Sequence, residues 1–211
     1  MKSFSVSKPD PKEKTIVIIG PARSGTSIVG SLLYHAGVYM GEFTNGYQYE
    51  DAGLILHGSD LRNFNKVTEK RSSMLKDKAK IIKERNIKHK TWGWKDPNVV
   101  WYYKHIDSLL KNPCFIFTDR SSIDTGYSSY ENDNASREED PNYRDRSYVD
   151  SLSALTKIHL IHRSFNHPKI ILDFNELKNG ELTKFILDWL SIDYDKKYDD
   201  AIGESYVEKL F

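Results

Sequence analysis

At 211 residues the chain has the size of one ordinary domain, long enough to bury a core. Hydrophobic residues at 38% and charged residues at 29% exclude wholesale disorder and a collagen-like fibre. Lys+Arg 31 against Asp+Glu 30 leaves a formal charge of +1, so no global field points to nucleic acid or an anionic membrane as the partner.

Residues 1–13 hold two prolines and mixed charges and read as a flexible leader, leaving 14–211 as a single domain. Thr15-Ile-Val-Ile-Ile19 is a short β-branched run, the mark of a strand buried on both faces. It ends in Gly20-Pro-Ala-Arg-Ser-Gly25, after which Ile28, Leu32 and Leu33 resume at helical spacing until Gly37. Residues 50–65 read as helical, with Leu54, Leu56, Leu61 and Phe64 on an irregular apolar face. From Lys66 to Lys90 ten Lys/Arg stand against three Asp/Glu, which fits a solvent-facing helix or a collector for an anionic acceptor. Trp92-Gly-Trp94 leads into Lys95-Asp96-Pro97, and the proline stands where a helix over Val99 to Leu110 can begin.

Cys114-Phe-Ile-Phe117 is a second buried-strand run, followed by Thr118-Asp-Arg120 and a helix through Tyr130. As the single cysteine, Cys114 excludes an internal disulfide and a cysteine-rich zinc site. Residues 131–147 hold six acids, three arginines and no aliphatic side chain larger than Ala135, which predicts an exposed loop or a lid. A helix from Tyr148 to Phe165 follows, then a strand over Lys169-Ile-Ile-Leu172 and an amphipathic helix over Leu182–Leu190. The resulting order, β-α-α-α-β-α-β-α-α-β-α, predicts an α/β fold: one P-loop-like domain with a central, mostly parallel sheet flanked by helices. No apolar run approaches the roughly 20 residues of a membrane span, and Met1–Lys14 is polar rather than signal-like, so a cytoplasmic protein is expected.

Phosphate-binding loops need backbone N–H groups aimed at an anion, glycine for close approach, and a helix N-terminus behind. Gly20-x-x-x-x-Gly25 has the Walker A glycine spacing, yet Thr26-Ser27 follows instead of Lys-Ser/Thr. The cation lies earlier, at Arg23, and no magnesium seat is apparent; no metal is expected.

Gly20-Pro-Ala-Arg-Ser-Gly-Thr-Ser27, with Gly37-Val-Tyr-Met-Gly41 behind it, resembles the 5′-phosphosulfate loop of sulfotransferases. Three further blocks are similar to that family in the same order. They are Trp94-Lys-Asp-Pro97, then Phe115-Ile-Phe-Thr-Asp-Arg120 with Ser128 eight positions on, then Ile170-Ile-Leu-Asp-Phe-Asn-Glu-Leu177. The resemblance implies 3′-phosphoadenosine 5′-phosphosulfate as the donor cosubstrate and a small-molecule or glycan acceptor. It also implies donor contacts from Arg23, Ser24, Gly25, Thr26 and Ser27 at the 5′ end, and from Arg120 and Ser128 at the 3′-phosphate. Three departures stand out. The glycine-rich C-terminal element of the animal cytosolic enzymes is absent, Ser121-Ser122 replaces the usual proline, and Pro97 stands where those enzymes place a histidine.

Sulfuryl transfer rests on positioning and charge stabilisation, by analogy with phosphoryl transfer. Arg23 is expected to stabilise charge on the leaving phosphate, and Lys95 to bridge sulfuryl and leaving oxygens. Of the seven histidines, His35 lies within the first helix pattern and the other six adjoin no motif. A carboxylate is therefore the expected base, and the resemblance to heparan-type and bacterial carbohydrate sulfotransferases implies one on the segment after the first helix, here Tyr47-Gln-Tyr-Glu-Asp51: Glu50, with Asp51 or Glu42 as substitutes. Tyrosines 39, 47, 49, 127, 130 and 143 are candidates to line a sugar cleft. The competing readings are a P-loop small-molecule or nucleotide kinase and a non-catalytic nucleotide-binding module.

Overall fold

The computed structural model describes residues 3–42, 49–56, 68–132, 142–164 and 166–199. In chain order its elements are β1 (Phe4–Val6), β2 (Lys14–Ile19), α1 (Thr26–His35), α2 (Thr68–Lys88), β3 (Thr91–Lys95) and α3 (Val99–Ile106). There follow β4 (Pro113–Asp119), α4 (Ser122–Asn132), α5 (Tyr143–Ser164), β5 (Lys169–Asp173), α6 (Phe174–Lys178) and α7 (Thr183–Leu190). The strands pair in the order β1-β5-β4-β2-β3, all parallel except β1, which runs antiparallel along β5. This is the predicted α/β architecture with a P-loop-like sheet.

Burial on both faces explains the unbroken apolar runs. On β2, Ile16 and Ile18 enter one core with Ile28, Leu32 and Leu33 of α1 and with Leu187 and Leu190 of α7. Val17 and Ile19 point the other way, into a second core with Ile82, Trp92, Trp94 and Tyr102. On β4, Cys114 and Ile116 join the first core while Phe115 and Phe117 join the second, so the same alternation runs across the sheet. Burial pushes the Cys114 thiol up to about 12, which leaves it a packing residue.

The chain leaves β2 toward β3 on one side and leaves β4 toward β5 on the other. The crevice between the carboxyl ends of β2 and β4 is therefore the topological switch point, where open α/β sheets bind ligands.

Several expectations change. Phe4–Val6, inside the anticipated leader, is a strand in register with Lys169–Ile171. Residues 50–56 are not helical: Glu50 forms an isolated parallel bridge to Lys95 and a turn follows, while the rest of the 50–65 segment lies outside the described residues. Helix α5 begins at Tyr143, five residues before the predicted start, and takes in the end of the anticipated lid; residues 133–141 lie outside the described set. Among the described residues, no helix is long and apolar enough to cross a membrane.

Gly93 marks the tightest seam of the sheet. A Cβ there would meet the Ile16 carbonyl oxygen at 2.6 Å and Ile16 Cβ at 3.0 Å. Backbone cannot yield as a flexible side chain can, so Gly93→Ala is expected to destabilise by about 1–3 kcal/mol. The urea midpoint reads this directly, and an unchanged midpoint would contradict so close a β2–β3 seam.

Candidate active site

The loop after β2 is shaped from within. Ser24 is fully buried; its hydroxyl donates to the Pro21 carbonyl at 2.7 Å and its N–H to the same oxygen at 3.2 Å. That hydroxyl has one hydrogen, so the Thr118 hydroxyl must donate to it across their 2.6 Å contact, tying the loop to β4. Gly20 is required here, since a Cβ would strike Thr118 Oγ1 and come within 2.5 Å of Ser24 Oγ. Arg23 and Gly25 both take left-handed φ, 68° and 94°, and alternation of this kind turns N–H groups toward a common anion. Gly25 caps α1 without a side chain, leaving the N-terminal N–H groups of Thr26 and Ser27 to an incoming ligand.

The second cation comes from the turn after β4. Arg120 Nη1 donates to the Arg23 carbonyl at 2.8 Å, and its guanidinium lies 4.2 Å from the Phe174 ring centroid. Arg23 Nε in turn donates to Ser128 Oγ at 3.2 Å, on the first turns of α4. Arg23, Arg120 and Ser128, far apart in sequence, thus form one cluster. Burial foremost, and the positive charge of Arg120 second, lower the Arg23 pKa. Two half-buried like charges held this close together suit a polyanion.

On the other side of the loop stands Lys95, the last residue of β3, with 3% of its surface exposed. Its ammonium donates to Glu50 Oε1 at 2.5 Å and to Ser27 Oγ at 3.4 Å. Burial lowers the Lys95 pKa; the Glu50 carboxylate and Asp96 oppose that, and Arg23 adds to it. Of the three candidate carboxylates, Glu50 faces the lysine. Asp51 is fully buried in a two-pronged ion pair with Arg85 of α2, and Glu42 is exposed.

Behind Lys95, Asp96 is buried against the Tyr102 hydroxyl at 2.7 Å and accepts from the Asn98 N–H at 2.7 Å. The same tyrosine hydroxyl lies 2.9 Å from the Leu54 carbonyl. One phenol hydrogen cannot serve two acceptors. Desolvation pushes the Asp96 carboxyl up to about 6, and when protonated it donates to Tyr102, which then donates to Leu54.

The structure also joins the motif blocks to residues outside them, His159 among them. A cavity of about 450 Å³ opens beside Arg120, lined by Asp119, Asp124, His159, Asp173, Phe174 and Asn175 among others. His159 stands 3.6 Å from Asp119. It comes from the middle of α5, so only the packing of α5 against α4 brings it there, and nothing around position 159 signals it. Of the tyrosines, Tyr39 stacks on His89 at 4.1 Å, and Tyr49 packs over Gly30 with its hydroxyl accepting from Ser31 at 3.2 Å. Tyr127 is exposed, Tyr130 and Tyr143 pack ring to ring, and Tyr47 lies outside the described residues. Among the described residues no three His, Cys, Asp or Glu side chains group as a metal site.

Solved structures share this architecture. The sulfotransferase domain from the Synechococcus PCC 7002 olefin synthase superimposes with a TM-score of 0.55 and 18% identity, over 95% of this chain and 80% of that one. Sulfotransferase STF1 from Mycobacterium tuberculosis H37Rv gives a TM-score of 0.55 and 12% identity, over 91% of this chain and 71% of that one. A sugar kinase from Janibacter sp. HTCC2649 gives 0.50 and 14%, over 85% and 95%. No protein-family model matches the chain, and no curated protein sequence does. At these identities the likeness is one of fold, and the fold is sulfotransferase-like.

The Asp96 network sets a pH dependence. Its folded pKa of about 6 lies above the ordinary 3.8, so the native state holds this proton more tightly than the unfolded chain. The stability it confers is complete below pH 4 and is lost as pH rises through about 6. Asp96→Asn removes the titration. Wild-type stability measured against that variant should fall by about 2 kcal/mol between pH 4 and pH 7. A constant difference across that range would show that Asp96 does not titrate as described.

Proposed function

We propose that the protein is a sulfotransferase that moves a sulfuryl group from 3′-phosphoadenosine 5′-phosphosulfate to a hydroxyl, or an amine, of a carbohydrate or small metabolite. One observation carries the reading: the Lys95 ammonium touches both Ser27, at the head of the phosphate-type loop, and Glu50. A single cation thereby joins the end of the site suited to a leaving phosphate to the group suited to take a proton. Two of the structures sharing the fold are sulfotransferases by name, which agrees with it.

In this reading the 5′-phosphate and its sulfuryl group lie against the N–H groups of Gly25, Thr26 and Ser27, with Arg23 beside them. Ser24 shapes the loop, its own hydrogen-bonding groups being spent inside it. Arg120 and Ser128 take the 3′-phosphate. An acceptor oxygen forms its bond to sulfur as the bond from sulfur to the phosphate oxygen breaks. The acceptor proton passes to Glu50, and the leaving electron pair stays on adenosine 3′,5′-bisphosphate. Negative charge grows on that phosphate, so Lys95 and Arg23 stabilise the transition state more than the ground state. Arginine keeps its proton, which makes Arg23 an electrostatic group and not an acid.

The kinase alternative draws on the sugar kinase of similar fold, but Thr26 occupies the position where a Walker loop carries its lysine. Calorimetry separates the two. Adenosine 3′,5′-bisphosphate is expected to bind without metal, and ATP with magnesium to bind far more weakly; the reverse order would support the kinase. Arg120→Ala should weaken the 3′-phosphorylated nucleotide by about 10–100-fold while leaving its 3′-dephosphorylated form nearly unaffected. Equal loss for both forms would remove the assignment of Arg120. Glu50→Gln should bind nucleotide normally yet lose on the order of 10²–10⁴ in kcat in a radiolabelled sulfate-transfer assay across an acceptor panel. Full turnover in that variant would take the base role from Glu50.

A further inference from the structure

Glu50 stands on a short strap, residues 49–56, joined to neighbouring backbone by the bridge to Lys95 and by the Ala52 N–H, which donates to the Glu42 carbonyl at 2.6 Å. Backbone contacts of this kind do not by themselves fix a side-chain carboxylate at hydrogen-bond distance from its partner. The strap is also clamped from beneath by side chains of α2 and of the residue before α3. Arg85 of α2 grips Asp51 with both guanidinium nitrogens, Nη2 reaching Oδ1 at 2.9 Å. Asp51 Oδ1 also accepts from the Gly53 N–H at 2.9 Å, which folds the strap into a turn. Lys78, two helical turns before Arg85 on the same face, donates to the Leu54 carbonyl and to that of Ile55 at 3.4 Å. From the residue that precedes α3, Asn98 Nδ2 donates to the Leu56 carbonyl at 2.8 Å.

The clamp is built, not incidental. Gly41 has φ 93°, and a Cβ there would strike Asp51 Oδ2. The Arg85 guanidinium is flanked by the rings of Tyr39 and Trp92, 5.6 and 5.5 Å away, and is itself buried. A pair of charges taken this far out of water is costly to make and costlier to leave half-made. Helix α2, whose basic sequence reads as a solvated face, turns outward with Lys76, Lys80 and Lys83 but sends Lys78 and Arg85 inward to the residues next to Glu50.

We infer that Arg85 and Asp51 are positioning residues: their buried ion pair sets the strap so that the adjacent Glu50 meets Lys95. This rests on the sulfuryl-transfer reading for its catalytic consequence, though not for the placement of the Lys95–Glu50 pair itself. A two-pronged grip fixes rotation as well as distance, and a lysine at position 85 would supply charge without that fork.

The test compares wild type with Arg85→Met, Arg85→Lys and, as a second route to the same pair, Asp51→Asn. Three quantities are measured: affinity for adenosine 3′,5′-bisphosphate, kcat with saturating donor, and the nitrogen-15 resonance of the Lys95 ammonium. Misplacing a reacting group by about 1 Å can cost about 10²-fold. Arg85→Met and Asp51→Asn should therefore lose about 30–100-fold in kcat with nucleotide affinity within twofold of wild type, and should move the Lys95 resonance. Arg85→Lys should recover part of the rate. A folded Arg85→Met or Asp51→Asn with unchanged kcat and an unmoved resonance overturns the inference, and so does a loss of nucleotide affinity as large as the loss of kcat. If the wild type transfers no sulfate, it is the proposed function that fails. The Lys95 resonance then decides the positioning alone, upheld if it moves in either variant and overturned if it stays.

Discussion

Everything at the candidate site depends on β2 pairing in parallel with both β3 and β4. Parallel pairing puts the carboxyl ends of three strands on one edge, so Lys95 at the end of β3 and the turns carrying Arg23 and Arg120 come side by side. Flipping one strand would send its turn to the opposite edge. The pairing is enforced by two-sided burial, because β2 divides its side chains between two cores and a one-residue slip would exchange them. The Gly93 seam against Ile16 adds a steric lock to the same register. The constraint that builds the core is therefore also the one that assembles the charges.

The site concentrates positive charge in low-dielectric surroundings. Arg23, Arg120 and Lys95 each approach another cation's field, and burial pulls the pKa of both Arg23 and Lys95 down. Such an arrangement costs folding stability, and it is offset locally: Glu50 faces Lys95, the Phe174 ring lies over Arg120, and Ser128 accepts from Arg23. What remains is a local cluster of cations of the kind a polyanion would suit, on a chain whose net charge of +1 gives no hint of it. Local geometry, not overall composition, makes the electrostatic argument.

Much of this was legible in the residues. The two-sided runs at Thr15–Ile19, Cys114–Phe117 and Lys169–Leu172 mark buried parallel strands because no other common element needs both faces apolar. The spacing from Arg120 to Ser128 covers a turn and two turns of helix, which sets both residues against Arg23. Other features were not legible. The edge strand Phe4–Val6 is exposed and lacks any apolar alternation against a core, so only its pairing with β5 defines it. The segment at 50–56 has leucines at spacings that suit a helix, yet Leu54 and Leu56 fill the second core from a strap held by side chains of α2 and α3. His159 joins the cavity beside Arg120 through the packing of one helix on another, which no run of neighbouring residues encodes.

The order of the parallel strands, the loop with its displaced cation and the identity of the candidate groups follow from the sequence alone, since periodicity, glycine spacing and charge are local properties. Which carboxylate faces Lys95 is a different kind of fact. Glu50 and Asp51 are chemically alike and adjacent, and nothing local separates them. The choice is made 34 residues along the chain, where Arg85 takes Asp51 into the interior and thereby leaves Glu50 at the lysine. Only tertiary structure can decide that, because a buried charge must find its partner in space and the partner's position is set by how the helix packs.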